Sequence, residues 1–260
     1  MITNGARTQT PEELELDRKL KELSELETEL AQQELDLATL QGQLNTFEAK
    51  YVRIVGVLFA ELDEIEAQIA ELKAKLEPKN IKIQEQAANA RTHAQNTAQA
   101  TGIVHDLRVE KFIPSESLKK LYREVAKCVH PDLAIDENDR AKRQQLMSQA
   151  NQAYKEGDEE KLLSILEEWK NSPESIKGDD TASELVRVIR KIAQIEKRLI
   201  IIETEIPQIK KTDLFQLKIK VELAENEGQN LLKDMAYRVK TKIGSARNRL
   251  AEINGVNYKS

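Results

Sequence analysis

One short stretch holds most of the side chains that could do chemistry. In LKKLYREVAKCVHPDL, residues 118 to 133, Cys128 stands two before His130 and Asp132 two after it, with Pro131 between. An imidazole beside a thiol and a carboxylate could move a proton, activate a nucleophile or bind a metal. Zinc wants four ligands, however, and the only other histidines, His93 and His105, stand at no convincing ligand spacing from this pair. Elsewhere there is no Gly-rich phosphate loop, no nucleophile constellation and no carboxylate pair. The expectation is a chain without enzymatic activity, cofactor or metal. Cys128 then reads as a small, partly buried hydrophobe, and His130 and Asp132 as groups for recognition.

What positions them is a helix that must stop. Pro114-Ser115 opens it; Leu118, Leu121, Tyr122, Val125 and Val129 form its apolar face, while Lys119 or Lys120, Arg123 and Lys127 recur at about four-residue intervals on another. Pro131 cannot continue that helix, so His130 and Asp132 emerge in a loop beside the basic stripe. Asp136 and Asp139 start the next helix, which bears Leu146, Met147, Ala150, Ala153 and Tyr154 and ends at Gly157. Asp158 restarts a shorter one with Leu162, Leu163, Ile165, Leu166 and Trp169.

The rest of the chain argues for long helices. Aromatic residues make up 4% of the 260 residues and charged ones 33%, with 9 glycines and 6 prolines, which is little material for a wide core. The 40% hydrophobic content must therefore lie in stripes. Thr10-Pro11-Glu12-Glu13 is a capping box with proline at the first helical position. From it an apolar seam at three- and four-residue steps runs from Leu30 to Leu76, where Pro78 ends it. Two successive steps of four, Ile54 to Leu58 to Leu62, form a stutter that should unwind the supercoil locally. Residues 80 to 100 are rich in Ala and Gln, a connecting helix that Gly102 breaks. A second arm starts at the capping box Thr181-Ala182-Ser183-Glu184 and carries a seam from Leu185 to Ile253, kinked at Pro207. The segment 171 to 181 links it to what precedes.

Residues 1 to 77 hold 8 basic and 17 acidic side chains, and 182 to 260 hold 16 basic and 10 acidic. Opposite charge favours pairing of the two arms, with the acidic start (Glu12 to Glu29) against the basic end (Arg238 to Arg249), hence antiparallel. Lengths of about 100 and 110 Å match at ~1.5 Å per residue. The expected fold is all-α: a long antiparallel coiled-coil hairpin with arms at 11–77 and 182–255, a connecting helix at 78–102 and a helical module at 103–171 held at the tip. Residues 51 to 59 and 199 to 202 are apolar around more of the helix than one seam needs. Facing each other at mid-stalk, they would form a belt for a second copy or another partner.

The module resembles a J-domain, the unit through which co-chaperones of the DnaJ type engage Hsp70. The resemblance covers roughly residues 103 to 158 and rests on LKKLYREVAKCVHPD and the later NQAYKEGD. It implies two antiparallel helices joined by the His130-Pro131-Asp132 loop. It also implies that Lys119, Lys120, Arg123 and Lys127 dock on an acidic, DnaK-type Hsp70 surface, with Tyr122, Val125, Ala126, Ala150 and Tyr154 as packing positions. Three departures stand out. The family's first helix has only Ile103, Val104, Leu107 and Phe112 as substitutes, Leu133 stands where the family commonly has Lys, and no Gly/Phe-rich or zinc module follows. The expected function is recruitment and ATPase stimulation of an Hsp70, which the coiled coil directs to a client of unknown identity.

Two other readings compete. One is a structural coiled-coil scaffold whose J-like module does not engage Hsp70. The other is nucleic-acid association through Arg238 to Arg249, which is disfavoured because the complementary acidic charge lies in the same chain and no aromatic residues interleave for stacking. A single cysteine, no apolar run of bilayer length and no apolar core for a signal peptide lead to the expectation of a soluble, cytoplasmic protein without a membrane partner.

Overall fold

A computed structural model describes residues 10–105, 112–134, 136–170 and 181–257, and these are helical with no strand among them. In chain order they form α1 (Pro11–Tyr51), a π-helical turn (Val52–Gly56), α2 (Val57–Leu76), α3 (Ile81–His105), α4 (Glu116–Val129), a 3-10 turn (Pro131–Leu133), α5 (Glu137–Glu156), α6 (Glu159–Lys170), α7 (Thr181–Lys211), α8 (Asp213–Asn226) and α9 (Leu231–Asn257). Two compact units divide the chain. The first takes residues 1–43 and 112–211, the second 44–111 and 212–260, so α1 contributes to both.

In the first unit, α1 begins as its residue types dictate. The Thr10 hydroxyl accepts from the Glu13 amide, and the Thr10 amide donates back to the Glu13 carboxylate at 2.9 Å. One stripe of α1, Leu16, Leu23, Leu30 and Leu37, is buried with Val188, Ile192, Ile195, Leu199 and Ile202 of α7. A second stripe, displaced by one residue, holds Ala31, Leu35 and Ala38 and closes the core formed by α4, α5 and α6. That core is built around Tyr122, Val125, Val129, Ala150, Tyr154, Leu162 and Ile165, each at most 1% exposed. Gly42 lets Phe112 approach α1 closely, because a Cβ there would lie 2.7 Å from the ring. Phe112 in turn meets Tyr154 edge to face with centroids 5.5 Å apart.

In the second unit, α2 and α3 form an antiparallel hairpin around Pro78. Gln84 donates to the Ala74 carbonyl, and Arg91 reaches Glu71 and Glu64. Ala67, Ala74, Ala87 and Ala94 are all buried, so the hairpin closes on small side chains spaced seven apart on each helix. The alanines of the connecting segment therefore serve close helix approach. Phe47, Val55, Ile65 and Ile69 share a core with Val221 of α8 and Leu232, Val239, Ile243 and Ala246 of α9. At the stutter, the backbone widens into the π turn Val52–Gly56.

Several expectations are corrected. Gly102 does not break α3, which runs on to His105; an interior glycine costs only about 1 kcal/mol against alanine. The helix continues past Pro207, which lies inside α7, but the chain interrupts itself after Lys211, where Thr212 caps α8, and at the left-handed Gly228. The segment 182–255 is thus three helices and not one arm. Arg247 and Arg249 pair with Glu61 and Glu66 of α2, and the seam partners of Leu16 to Leu30 are on α7. The two stretches expected to make a mid-stalk belt pack in separate clusters: Tyr51, Ile54, Leu58 and Phe59 with α8 and α9, and Leu199 and Ile202 with α1. On α7, Val188 faces the seam, and Ile189, Ile200 and Ile201 are exposed. The helical module packs along residues 31–38 of α1. The linker 171–180, Leu107 and the side chains of Ile103 and Val104 lie outside the described residues. No helix among the described residues is long and apolar enough to cross a membrane.

Candidate functional site

The site is built by α4, α5 and the turn between them. Ser115 caps α4 by accepting from the Leu118 amide at 3.0 Å, and Asp136 caps α5 by accepting from the Asp139 amide at 2.9 Å. The two helices run antiparallel, since the Tyr122 hydroxyl donates to Asn151 at 2.6 Å while Arg143 reaches the C-terminal end of α4. There the Arg143 guanidinium donates to the Cys128 carbonyl at 2.8 Å, pairs with Asp139 at 2.8 Å and lies 4.2 Å above the Trp169 ring. A buried arginine thus satisfies an orphan carbonyl of the helix end and sets the angle at which the chain leaves it.

Leaving α4, His130 takes an extended conformation (φ −59°, ψ 131°), as a residue before proline must. Pro131 starts a 3-10 turn in which the Leu133 amide donates to the His130 carbonyl at 3.1 Å. The His130 Nδ1 accepts from the Asp132 amide at 3.2 Å, so the ring caps its own turn and leaves Nε2 to donate outward. Asp132 keeps its carboxylate partly exposed, with 29% of its side chain accessible.

That outward donation is already taken. His130 is 2% exposed, and its Nε2 donates to Glu34 on α1 at 3.0 Å. Glu34, 6% exposed, also accepts from Arg198 of α7 through Nε at 2.7 Å and Nη2 at 3.2 Å, and Arg198 continues to Glu205 at 3.3 Å. Burial pushes the Glu34 carboxyl pKa up, but the hydrogen bonds from His130 and Arg198 and the Arg198 charge outweigh it, so the group is held below the ordinary value of 4.5. Leu133, 4% exposed, sits in the apolar seam of α1 and α7. A lysine at this position would bury an ammonium in that seam.

The basic stripe is also engaged, in part. Arg123 donates to Gln32 of α1 at 3.0 Å and Lys127 to the Thr28 hydroxyl at 2.9 Å. Lys119 pairs within its own helix with Glu116 at 2.8 Å, and Lys120 is exposed. Between α1 and α4 lies an open groove of about 610 Å³, with Glu25 and Glu29 on one wall and Lys120, Arg123 and Lys127 on the other.

The structure thus brings His130, Arg123 and Lys127 against α1, where they meet Glu34, Gln32 and Thr28. Sequence reasoning missed Glu34, Arg198 and Arg143. A signal existed for the first: Ala31, Leu35 and Ala38 repeat the spacing of Leu30 and Leu37 one residue on, which marks a helix packed on two faces with Glu34 between them. For Arg143 the signal was Asp139 one turn before it. Cys128 is half-buried, its thiol pKa pushed up chiefly by burial, and no group of three or more metal-type ligands gathers among the described residues. Comparison with family models, with curated proteins and with solved structures gives no match.

Proposed function

We propose that this chain is a J-domain-type co-chaperone. Its His130-Pro131-Asp132 loop, with Lys119, Lys120, Arg123 and Lys127 beside it, would engage a DnaK-type Hsp70 and stimulate its ATPase. The observation that carries the reading is the construction of the loop. Two antiparallel helices, a proline-set turn capped by its own histidine and an arginine braced on the last carbonyls of α4 together preorganise an imidazole and a carboxylate. Preorganisation of this kind lowers the ordering cost of docking, and a lysine-bearing helix steers toward an acidic surface. The second unit, with its α2–α3 hairpin and its α8–α9 pair, is the part available to direct the module to a client or site. A cytoplasmic location fits both the proposed partner and the one free thiol.

The test is single-turnover ATP hydrolysis by a DnaK-type Hsp70 with the full chain and with His130→Gln. Acceleration by the wild type and none by the variant is expected. Equal rates with either protein and with neither would sink the reading. One observation favours the alternative of a structural scaffold, namely that His130 is 2% exposed and hydrogen-bonded to Glu34. On that alternative the ATPase is unaffected and His130→Gln only destabilises the fold.

A further inference from the structure

Three contacts converge on the one face that an Hsp70 would need. Glu34 holds the His130 Nε2, the α1 and α7 seam holds Leu133, and Thr28 and Gln32 hold Lys127 and Arg123. We propose that residues 25 to 36 of α1 are an intramolecular competitor of the Hsp70. They cover the effector loop and the docking stripe, and the partner engages only when this segment lifts away. The inference rests on the J-domain reading and adds its regulation.

The chemistry of the segment matches the role. ETELAQQELD, residues 27 to 36, carries four carboxylates and no basic side chain, so it offers the module the sign of charge that a lysine-bearing docking helix seeks in its partner. The contacts are also of a kind that can be exchanged. Lys127 and Arg123 meet hydroxyl and amide oxygens at the rim of an open groove, where water can replace them. To the core of the module α1 contributes two alanines and one leucine, a small apolar area for a contact of this length. The buried holds are Leu133 in the α1 and α7 seam and Glu34, which His130 and Arg198 share. A partner must therefore supply its own acceptor for the His130 Nε2 before Glu34 can be displaced without loss.

Half-stimulating concentrations in the single-turnover assay test this with the full chain. The set is wild type, Glu34→Gln and Leu133→Lys, each with and without His130→Gln, with helicity checked by circular dichroism. Because the apparent affinity scales with the open fraction, each single variant should stimulate at about tenfold lower concentration than wild type. His130→Gln should be silent in every background. Equal half-stimulating concentrations, with His130→Gln silent, would overturn the competitor and leave the co-chaperone reading standing; no stimulation by any form would remove that reading itself. Should either variant lose helicity, amide exchange of the wild type with and without Hsp70 carries the same question. Faster exchange over residues 25–36 in a complex that protects α4 is expected, and unchanged exchange there would overturn the proposal.

Discussion

Glu34→Gln replaces one oxygen of a buried carboxylate by an amide and nearly preserves its volume, so its cost measures charge more than packing. In the wild type the carboxylate accepts one hydrogen bond from His130 and two from Arg198. Hydrogen bonds to a charged group contribute about 1.5–3 kcal/mol when buried. The Arg198 share is discounted to less than ~1 kcal/mol, because that side chain is 23% exposed and can turn to Glu205 and to water. Glutamine retains an acceptor for His130, so that bond loses only its charge assistance, about 1 kcal/mol, and the expected total loss is about 1–2 kcal/mol. With an m of ~2 kcal/mol/M, this moves the urea midpoint by about 0.5–1 M. The assay is urea unfolding of the full chain followed by circular dichroism, with the exposed neighbour Glu29→Gln expected to stay within ~0.5 kcal/mol. The pH dependence is a second reading of the same group. Its folded-state pKa is depressed below 4.5, so its stabilisation is complete above the unfolded-state value and is lost as pH falls through the folded-state value. The gap between wild type and Glu34→Gln should therefore be full near neutral pH and close in the acid range below 4.5. A gap under ~0.5 kcal/mol at pH 7 with an unchanged m, or one that widens in acid, would refute this account of the clamp.

Other perturbations probe the parts around it. Leu133→Ala should cost about 2–4 kcal/mol in the same unfolding assay, the usual range for deleting a buried leucine, although an exposed turn residue would cost almost nothing. Arg143→Leu removes the Asp139 ion pair and the donor to the Cys128 carbonyl, and a loss of about 3–5 kcal/mol is expected; a value below ~1 would show that α4 needs no brace. Gly42→Ala should lower the thermal midpoint, because the new methyl meets the Phe112 ring, and Phe112→Leu in the same chain should recover part of the loss.

Much of the local structure was legible because it depends on neighbours in sequence. The capping box at Thr10, the helix start at Ser115, the proline-forced turn after His130 and the left-handed stop at Gly157 (φ 74°) all form where their residue types require. The buried faces of α4 and α5 likewise follow from three- and four-residue spacing. The register drawn from charge, with Glu12 to Glu29 against Arg238 to Arg249, differs from the observed seam for a physical reason. Net charge is a sum over a whole segment, whereas pairing is decided by apolar seams, and Leu16 to Leu37 had a seam available on α7 as well as on the C-terminal helix. The interruptions at Thr212 and Gly228 then separated α7 from α9 and let each serve a different unit.

By itself, then, the sequence determined an all-helical chain, the ends of most helices and the composition of the His130-Pro131-Asp132 loop, since each of these is settled within a few turns of backbone. Only the tertiary structure decided what the loop faces. The Nε2 of His130 meets Glu34, 96 residues earlier, and Glu34 meets Arg198, 164 residues later. A carboxylate between two apolar stripes has no periodic signature of its partner. Burial of that carboxylate is tolerable only because folding brings an imidazole and a guanidinium to it together.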